Sequence, residues 1–262
     1  MSGMIAAIRS EWTKTFTLPS VWIITGALFA VFLLFQFLSF EFYSETAARL
    51  TSGESTQAQA VALLQGDLMA SIFNPGILFT LLGAVIAGAE FRTGQFGMSV
   101  VAVPNRIRLV VSKVLVAALF ALALGVIWYA IGTSLMLAST NGVAAAAVLN
   151  GDFFATLGRV LLFMVAFALF PLGLTLLTRR TLTGVIAAMV FFMLTLTQVV
   201  AMVSPAVDAF LPLSAARNLL LNSDDTPVPT TAGPVHGALV LTAWAVLTVV
   251  LAAVVTKWRD AS

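Results

Sequence analysis

Apolar residues in this chain come in long unbroken runs separated by shorter polar stretches. The runs cover residues 21–40, 71–89, 113–138, 153–177, 182–203 and 237–256. Each is close to the 20 or so apolar residues that a helix needs to cross about 30 Å of hydrocarbon. None alternates with the period of two that a membrane barrel strand requires. The pattern predicts an all-α polytopic membrane protein with six transmembrane helices, residues 1–262 forming one transmembrane domain.

The polar stretches between the runs predict further elements. In residues 1–19, Met4, Ile5, Ile8, Trp12 and Phe16 recur at helical spacing, and Arg9, Ser10, Glu11, Thr13 and Lys14 fill the other side. This amphipathic helix is expected to lie in the membrane surface, with Pro19 turning the chain into the first span. Residues 41–70 read as a polar, partly helical loop. Residues 91–112 are too long for a simple turn. Residues 204–236 carry Pro205, Pro212, Pro227, Pro229 and Pro234. Within them 210–222 is apolar enough to dip back into the membrane as a short re-entrant helix between spans five and six.

Composition agrees with the runs: 60% of the residues are hydrophobic and 9% charged, against about 45–50% and about 25% in soluble domains. No soluble core hides that much apolar surface. The net charge of +2 carries no nucleic-acid signal, and the absence of cysteine excludes disulfides and thiolate chemistry. The N-terminus lacks the pattern of a cleavable signal. Arg9, Lys14, Arg92, Arg106, Arg108, Lys113, Arg179, Arg180, Lys257 and Arg259 fall at the ends and even-numbered connections. Only Arg49, Arg159 and Arg217 fall on the other side. Ten basic residues against three place both termini in the cytoplasm.

Several short motifs occur in order along the chain. Glu11-Trp12-Thr13-Lys14 precedes the first span. Gly88-Ala89-Glu90-Phe91-Arg92-Thr93-Gly94 is followed by Ala102-Val103-Pro104-Asn105-Arg106 and by Lys113. Leu211-Pro212 follows the fifth span, and Arg259-Asp260-Ala261 lies at the end. This arrangement resembles the permease subunits of bacterial ABC transporters of the type-2 class, whose fold is called type V. The family usually has a second basic residue where Asn105 stands. The resemblance implies a permease domain in the bacterial cell (inner) membrane, paired with a second permease chain. It also implies two copies of a cytoplasmic ABC ATPase subunit beneath the pair. It makes 1–19 a connecting helix and 91–112 a coupling segment that docks on the ATPase. No G-x-x-x-x-G-K-[ST] pattern occurs, so ATP and Mg are expected in the partner subunit, with no cofactor in this chain. An apolar path with few charges suits an amphiphile: a drug, lipid or antimicrobial peptide. The rival classes are a membrane-embedded enzyme and a non-transporting sensor or assembly module. The spans offer no His–carboxylate cluster for the enzyme.

Candidate site residues follow. In the coupling segment, Gly94, Gln95, Phe96, Gly97, Met98, Val100, Val101 and Val103 form a short apolar stretch that Pro104 stops. Phe96, Met98 and Val100 have no reason to be in a cytoplasmic loop unless they bury against a partner. A carboxylate at the inner end of a span is costly unless paired, so Glu90 is expected to pair with Arg92, Arg106 or Lys113 and to support that segment. Gln36 and Gln198 are polar groups inside spans, able to bond across helices or to line a pathway. Arg159 either lines a path or snorkels towards headgroups and Asp152. Pro171 interrupts span four and predicts a kink. His236, the single histidine, has no metal-ligand motif around it, and no metal site is expected.

Overall fold

The computed structural model describes residues 2–92, 94–103, 105–142, 145, 153–221 and 231–258; for Ser2, Arg92, Phe96 and Ala102 it describes the backbone only. Every regular element among the described residues is a helix. The helices are α1 (Ser2–Thr17), α2 (Pro19–Thr51), α3 (Gln57–Gly76), α4 (Phe79–Arg92), α5 (Phe96–Ala102) and α6 (Arg106–Ser139). They continue as α7 (Phe153–Thr178), α8 (Thr181–Leu196), α9 (Val199–Val203), α10 (Pro205–Asp208), α11 (Pro212–Leu220) and α12 (Pro234–Trp258). Five stretches are long and apolar enough to cross a membrane: Pro19–Thr51, Gln57–Phe91, Arg106–Ser139, Phe153–Thr178 and Pro234–Trp258. The protein is built for a membrane.

The bundle is organised around α7. It packs against α4, α6, α8, α11 and α12, and 67% of its most apolar window is buried, against 22% for α2 and 28% for α12. The outer helices show Phe37, Leu38, Leu239 and Leu247 to the surroundings, a surface that hydrocarbon solvates. The core between them is aromatic, with Phe32 stacked on Trp128 at 4.5 Å and Phe167 on Phe192 at 5.1 Å. Close approach depends on small residues. A Cβ on Gly83 would fall on the carbonyl oxygen of Ala168, so α4 and α7 touch backbone to backbone there.

Three sequence expectations change. Residues 41–70 are more helical than expected, with only 52–56 left as a turn: α2 runs on to Thr51, supported by Glu45 and Arg49 at 2.6 Å, and α3 starts from a capping box of Thr56 and Gln59. The second apolar run belongs to two helices that break at Ile77 and Leu78, just after Pro75. The fifth run, 182–203, is not one helix. Gln198 adopts φ +55 and starts a separate short turn, leaving α8 with 16 residues. That is about 24 Å of helix at 1.5 Å per residue, short of the roughly 30 Å core.

The expected re-entrant stretch contains α11, which is buried along its whole length against α12, α7, α8 and α3. Pro227 and Pro229 lie outside the described residues.

Candidate functional site

At one end of the bundle the ends of α1, α4, α5 and α6 converge on four charges. Lys14 Nζ donates to Glu11 Oε1 at 2.7 Å and to Glu90 Oε1 at 2.6 Å. Lys113 Nζ donates to Glu11 Oε2 at 2.6 Å and lies 3.4 Å from Glu90 Oε2. Ser99 joins from α5: its Oγ accepts from Lys14 at 2.9 Å and donates to Glu90 Oε1 at 2.8 Å. Two carboxylates and two ammonium groups make a formally neutral cluster. Glu11, Glu90 and Lys113 are almost wholly buried, whereas the Lys14 side chain is 37% exposed. Desolvation alone would lower the Lys14 pKa. Its hydrogen bonds to Glu11 and Glu90 and their negative charge outweigh that, and the ammonium is held above its ordinary value.

The sequence pattern puts these side chains in place for local reasons. Lys113 stands two helical turns into α6, which Asn105 caps by accepting the Arg108 backbone N–H at 3.1 Å. The turn between α4 and α5 uses Gly94 at φ +69, a conformation open to glycine at no steric cost. On α1 the expected division into an apolar and a polar side holds only in part: Glu11 turns inwards, while Arg9, Ser10 and Thr13 stay exposed. Ala7, Glu11 and Thr15 form the buried stripe, one turn apart, and Ile5 and Trp12 face outwards at 65% and 42% exposure. The reason is electrostatic: the surface that α1 meets carries Lys113 and Glu90, which need charged partners. A second contact is aromatic. Phe16 stacks on Trp12 at 4.6 Å and meets Trp22 and Phe120 edge-on, each at 5.6 Å, and Trp22 Nε1 donates to the Phe16 carbonyl at 2.8 Å.

Above this cluster α5 presents a divided surface. Ser99 is buried in the network, while Met98 is 65% and Val101 80% exposed. Gly97, Val100 and Val103 are half-buried, and Gly94 and Gln95 are exposed. Val103 is extended, at φ −128 and ψ 83, as a following proline demands. Pro104 itself and the side chains of Arg92 and Phe96 lie outside the described residues. Arg106 donates to the Thr256 carbonyl at 3.2 Å and so ties the start of α6 to the end of α12. Of the partners weighed for Glu90, Lys113 is present. Lys14, Glu11 and Ser99 were not foreseen. Their signals were an acid and a lysine at i, i+3 on α1 and a lone serine inside an apolar stretch.

The other singled-out residues are dispersed. Gln36, buried, donates to Ser71 Oγ at 2.8 Å and links α2 to α3. Gln198 sits at the break after α8. Arg159 is exposed on α7, and Asp152 lies outside the described residues. Pro171 is buried within α7, which continues as helix to Thr178. His236 Nε2 lies 3.3 Å from the Ala209 carbonyl.

A second buried polar cluster holds α11. Ser214 donates to Asp208 Oδ2 at 2.7 Å and accepts from Arg217 at 3.2 Å, and the Asp208 carboxylate and Arg217 guanidinium are 3.8 Å apart. Both side chains are buried. Among the described residues no three His, Asp or Glu side chains converge as metal ligands would. No family model matches the chain, and neither a curated protein nor a solved structure shows significant similarity to it.

Proposed function

We propose that this chain is the membrane-spanning permease subunit of an ATP-driven ABC exporter of the type-2 class. In this reading two permease chains form the path, both termini are cytoplasmic, and the chain resides in a bacterial cell membrane. The 16-residue α8 serves as the fifth of six spans, with α11 re-entrant on the outer side. The observation that carries the reading is α5. It is anchored by Ser99 to the buried charge cluster, and it turns Met98 and Val101 outwards beside that anchor. An apolar helix on the end of a bundle that the charge pattern assigns to the cytoplasm has a use there if a soluble partner covers it. Because α1, α4, α5 and α6 share one ion network, a push on α5 reaches two spans directly. Such a lever biases the spans between two packed states. The partner supplies nucleotide and Mg chemistry; this chain supplies the docking helix, the lever and the walls of an amphiphile's path.

The test is reconstitution. The chain is co-expressed with an ABC ATPase encoded beside it, extracted gently and weighed by native mass spectrometry. The expected assembly has two permease-type chains and two ATPase chains and hydrolyses ATP, while the purified permease alone does not. A stable single chain that binds no ATPase under mild extraction overturns the reading.

A further inference from the structure

Arg159 stands six residues after Phe153, where α7 begins, about 9 Å along the helix at 1.5 Å per residue. It belongs to an exposed stripe with Phe154, Ala155 and Gly158. Lys14, Arg49, Lys113 and Arg217 each have a carboxylate within 4.0 Å; Arg159 has none among the described residues. A charge inside an apolar span without a counter-ion is costly.

Beside it a cavity of about 150 Å³ opens where α3, α7 and α11 meet. Its walls include Gln65, Gly66, Met69, Thr156, Arg159 and Leu220. The guanidinium supplies a fixed fork of donors suited to phosphate oxygens. The Thr156 hydroxyl adds a neutral hydrogen-bonding group, and at Gly158 beside Arg159 a Cβ would meet nothing within 4 Å, which leaves the approach open. Below Arg159, the half-buried Leu162, Val165 and Leu169 run towards the middle of the helix. Cation above and hydrocarbon below is the profile of an anionic amphiphile.

We propose that this cavity binds a phosphate-ester anion, with Arg159 as the counter-ion, and that its occupant is the headgroup of an anionic phospholipid whose chains follow the Leu162–Leu169 stripe. The site requires only that the chain be in a membrane and stands whether or not the chain is a permease.

The experiment uses the full chain in nanodiscs of phosphatidylcholine with and without phosphatidylglycerol, read by native mass spectrometry. The expected result is one retained phosphatidylglycerol per chain, preferred at least ten-fold over phosphatidylcholine. Arg159→Gln abolishes that preference. Arg159→Lys keeps part of it, because an ammonium lacks the two-pronged geometry. Arg49→Gln, an arginine outside the cavity, leaves it unchanged. A parallel arm adds millimolar inorganic phosphate. Failure to displace the lipid assigns the site to the headgroup, and displacement assigns it to free phosphate and overturns the lipid occupant. Equal retention of both lipids, or the same preference in Arg159→Gln, makes Arg159 a snorkelling cation and overturns the site.

Discussion

Lys14 and Glu90, 76 residues apart in the chain, meet with Nζ 2.6 Å from Oε1. That contact joins a helix outside the apolar runs to the end of one, and Ser99 brings in the short α5 on the same oxygen. Four elements thereby share a single electrostatic joint.

Within the joint Glu11 accepts a short hydrogen bond from each lysine, whereas Glu90 accepts one from Lys14 and stands 3.4 Å from Lys113. Glu11→Ala leaves Lys113, 3% exposed, with only the more distant Glu90. Breaking a buried pair on one side costs about 3–5 kcal/mol. The measurable outcome is a large drop in unfolding free energy of the chain in bicelles. Replacing both members, Glu11→Leu with Lys113→Leu, recovers most of that loss because no buried charge is left unpaired. Equal stability of Glu11→Ala and the unaltered chain would refute the network's energetic role.

Lys14 gives the joint a pH limit. Its folded pKa lies above the ordinary 10.5, so its stabilising contribution is complete below about pH 10.5 and is lost as the pH rises through the raised value. The chain has no native cysteine, which permits a direct reading with Ala7→Cys, buried under α1, against Ser10→Cys, exposed on it. The ratio of their labelling rates stays low below the ordinary 10.5 and climbs only as the pH rises beyond it. With Lys14→Arg, which remains charged over this range, the climb disappears. A ratio independent of pH in both backgrounds counts against Lys14 as the anchor.

The exposed face of α5 predicts its own loss of function. Burying a side chain of this size is worth roughly 1.5–3 kcal/mol, and 1.4 kcal/mol is ten-fold in affinity. On the proposed permease reading, Met98→Ser with Val101→Ser weakens binding of the ATPase partner by about ten-fold or more while leaving thermal stability of the chain unchanged, since both side chains point outwards. Normal binding by this variant would remove α5 as the docking element of the proposed complex.

Packing of α4 on α7 rests on the missing side chain of Gly83. Gly83→Ala forces the two backbones apart, at an overpacking cost of about 1–3 kcal/mol or more. Gly26→Ala on α2 is the control, because a Cβ there meets nothing within 4 Å. Thermal midpoints in detergent should fall for the first and hold for the second. Two equal midpoints would mean that α4 and α7 are not in backbone contact.

How much of this was legible before the fold depends on the physics involved. Unbroken apolar runs need no partner to be recognised, so the helices α2, α6, α7 and α12 follow from residue type alone, and so does the short α11 between prolines. Glu90 announced its need for a cation by its place at a span's end. Which cation answered depended on where α1 lies. Helical periodicity sorted α1 into an apolar and a polar side, and it placed Glu11 and Lys14 towards headgroups. The fold draws Glu11 and part of Lys14 inwards to the charged partners Lys113 and Glu90, and leaves Arg9, Ser10 and Thr13 of the same side exposed.

What the amino-acid sequence determined by itself is therefore the membrane, the helical class and the approximate length of most spans, because transfer of apolar groups out of water is additive and local. Tertiary structure decided the rest. It split the fifth run at Gln198, extended α2 to Thr51, and set the α4–α7 contact at Gly83. It also closed the Glu11–Lys14–Glu90–Lys113 cluster from residues on three separate helices. Those outcomes depend on pairwise distances between groups far apart in the chain, and a charge is stabilised or stranded only by what stands a few ångströms away.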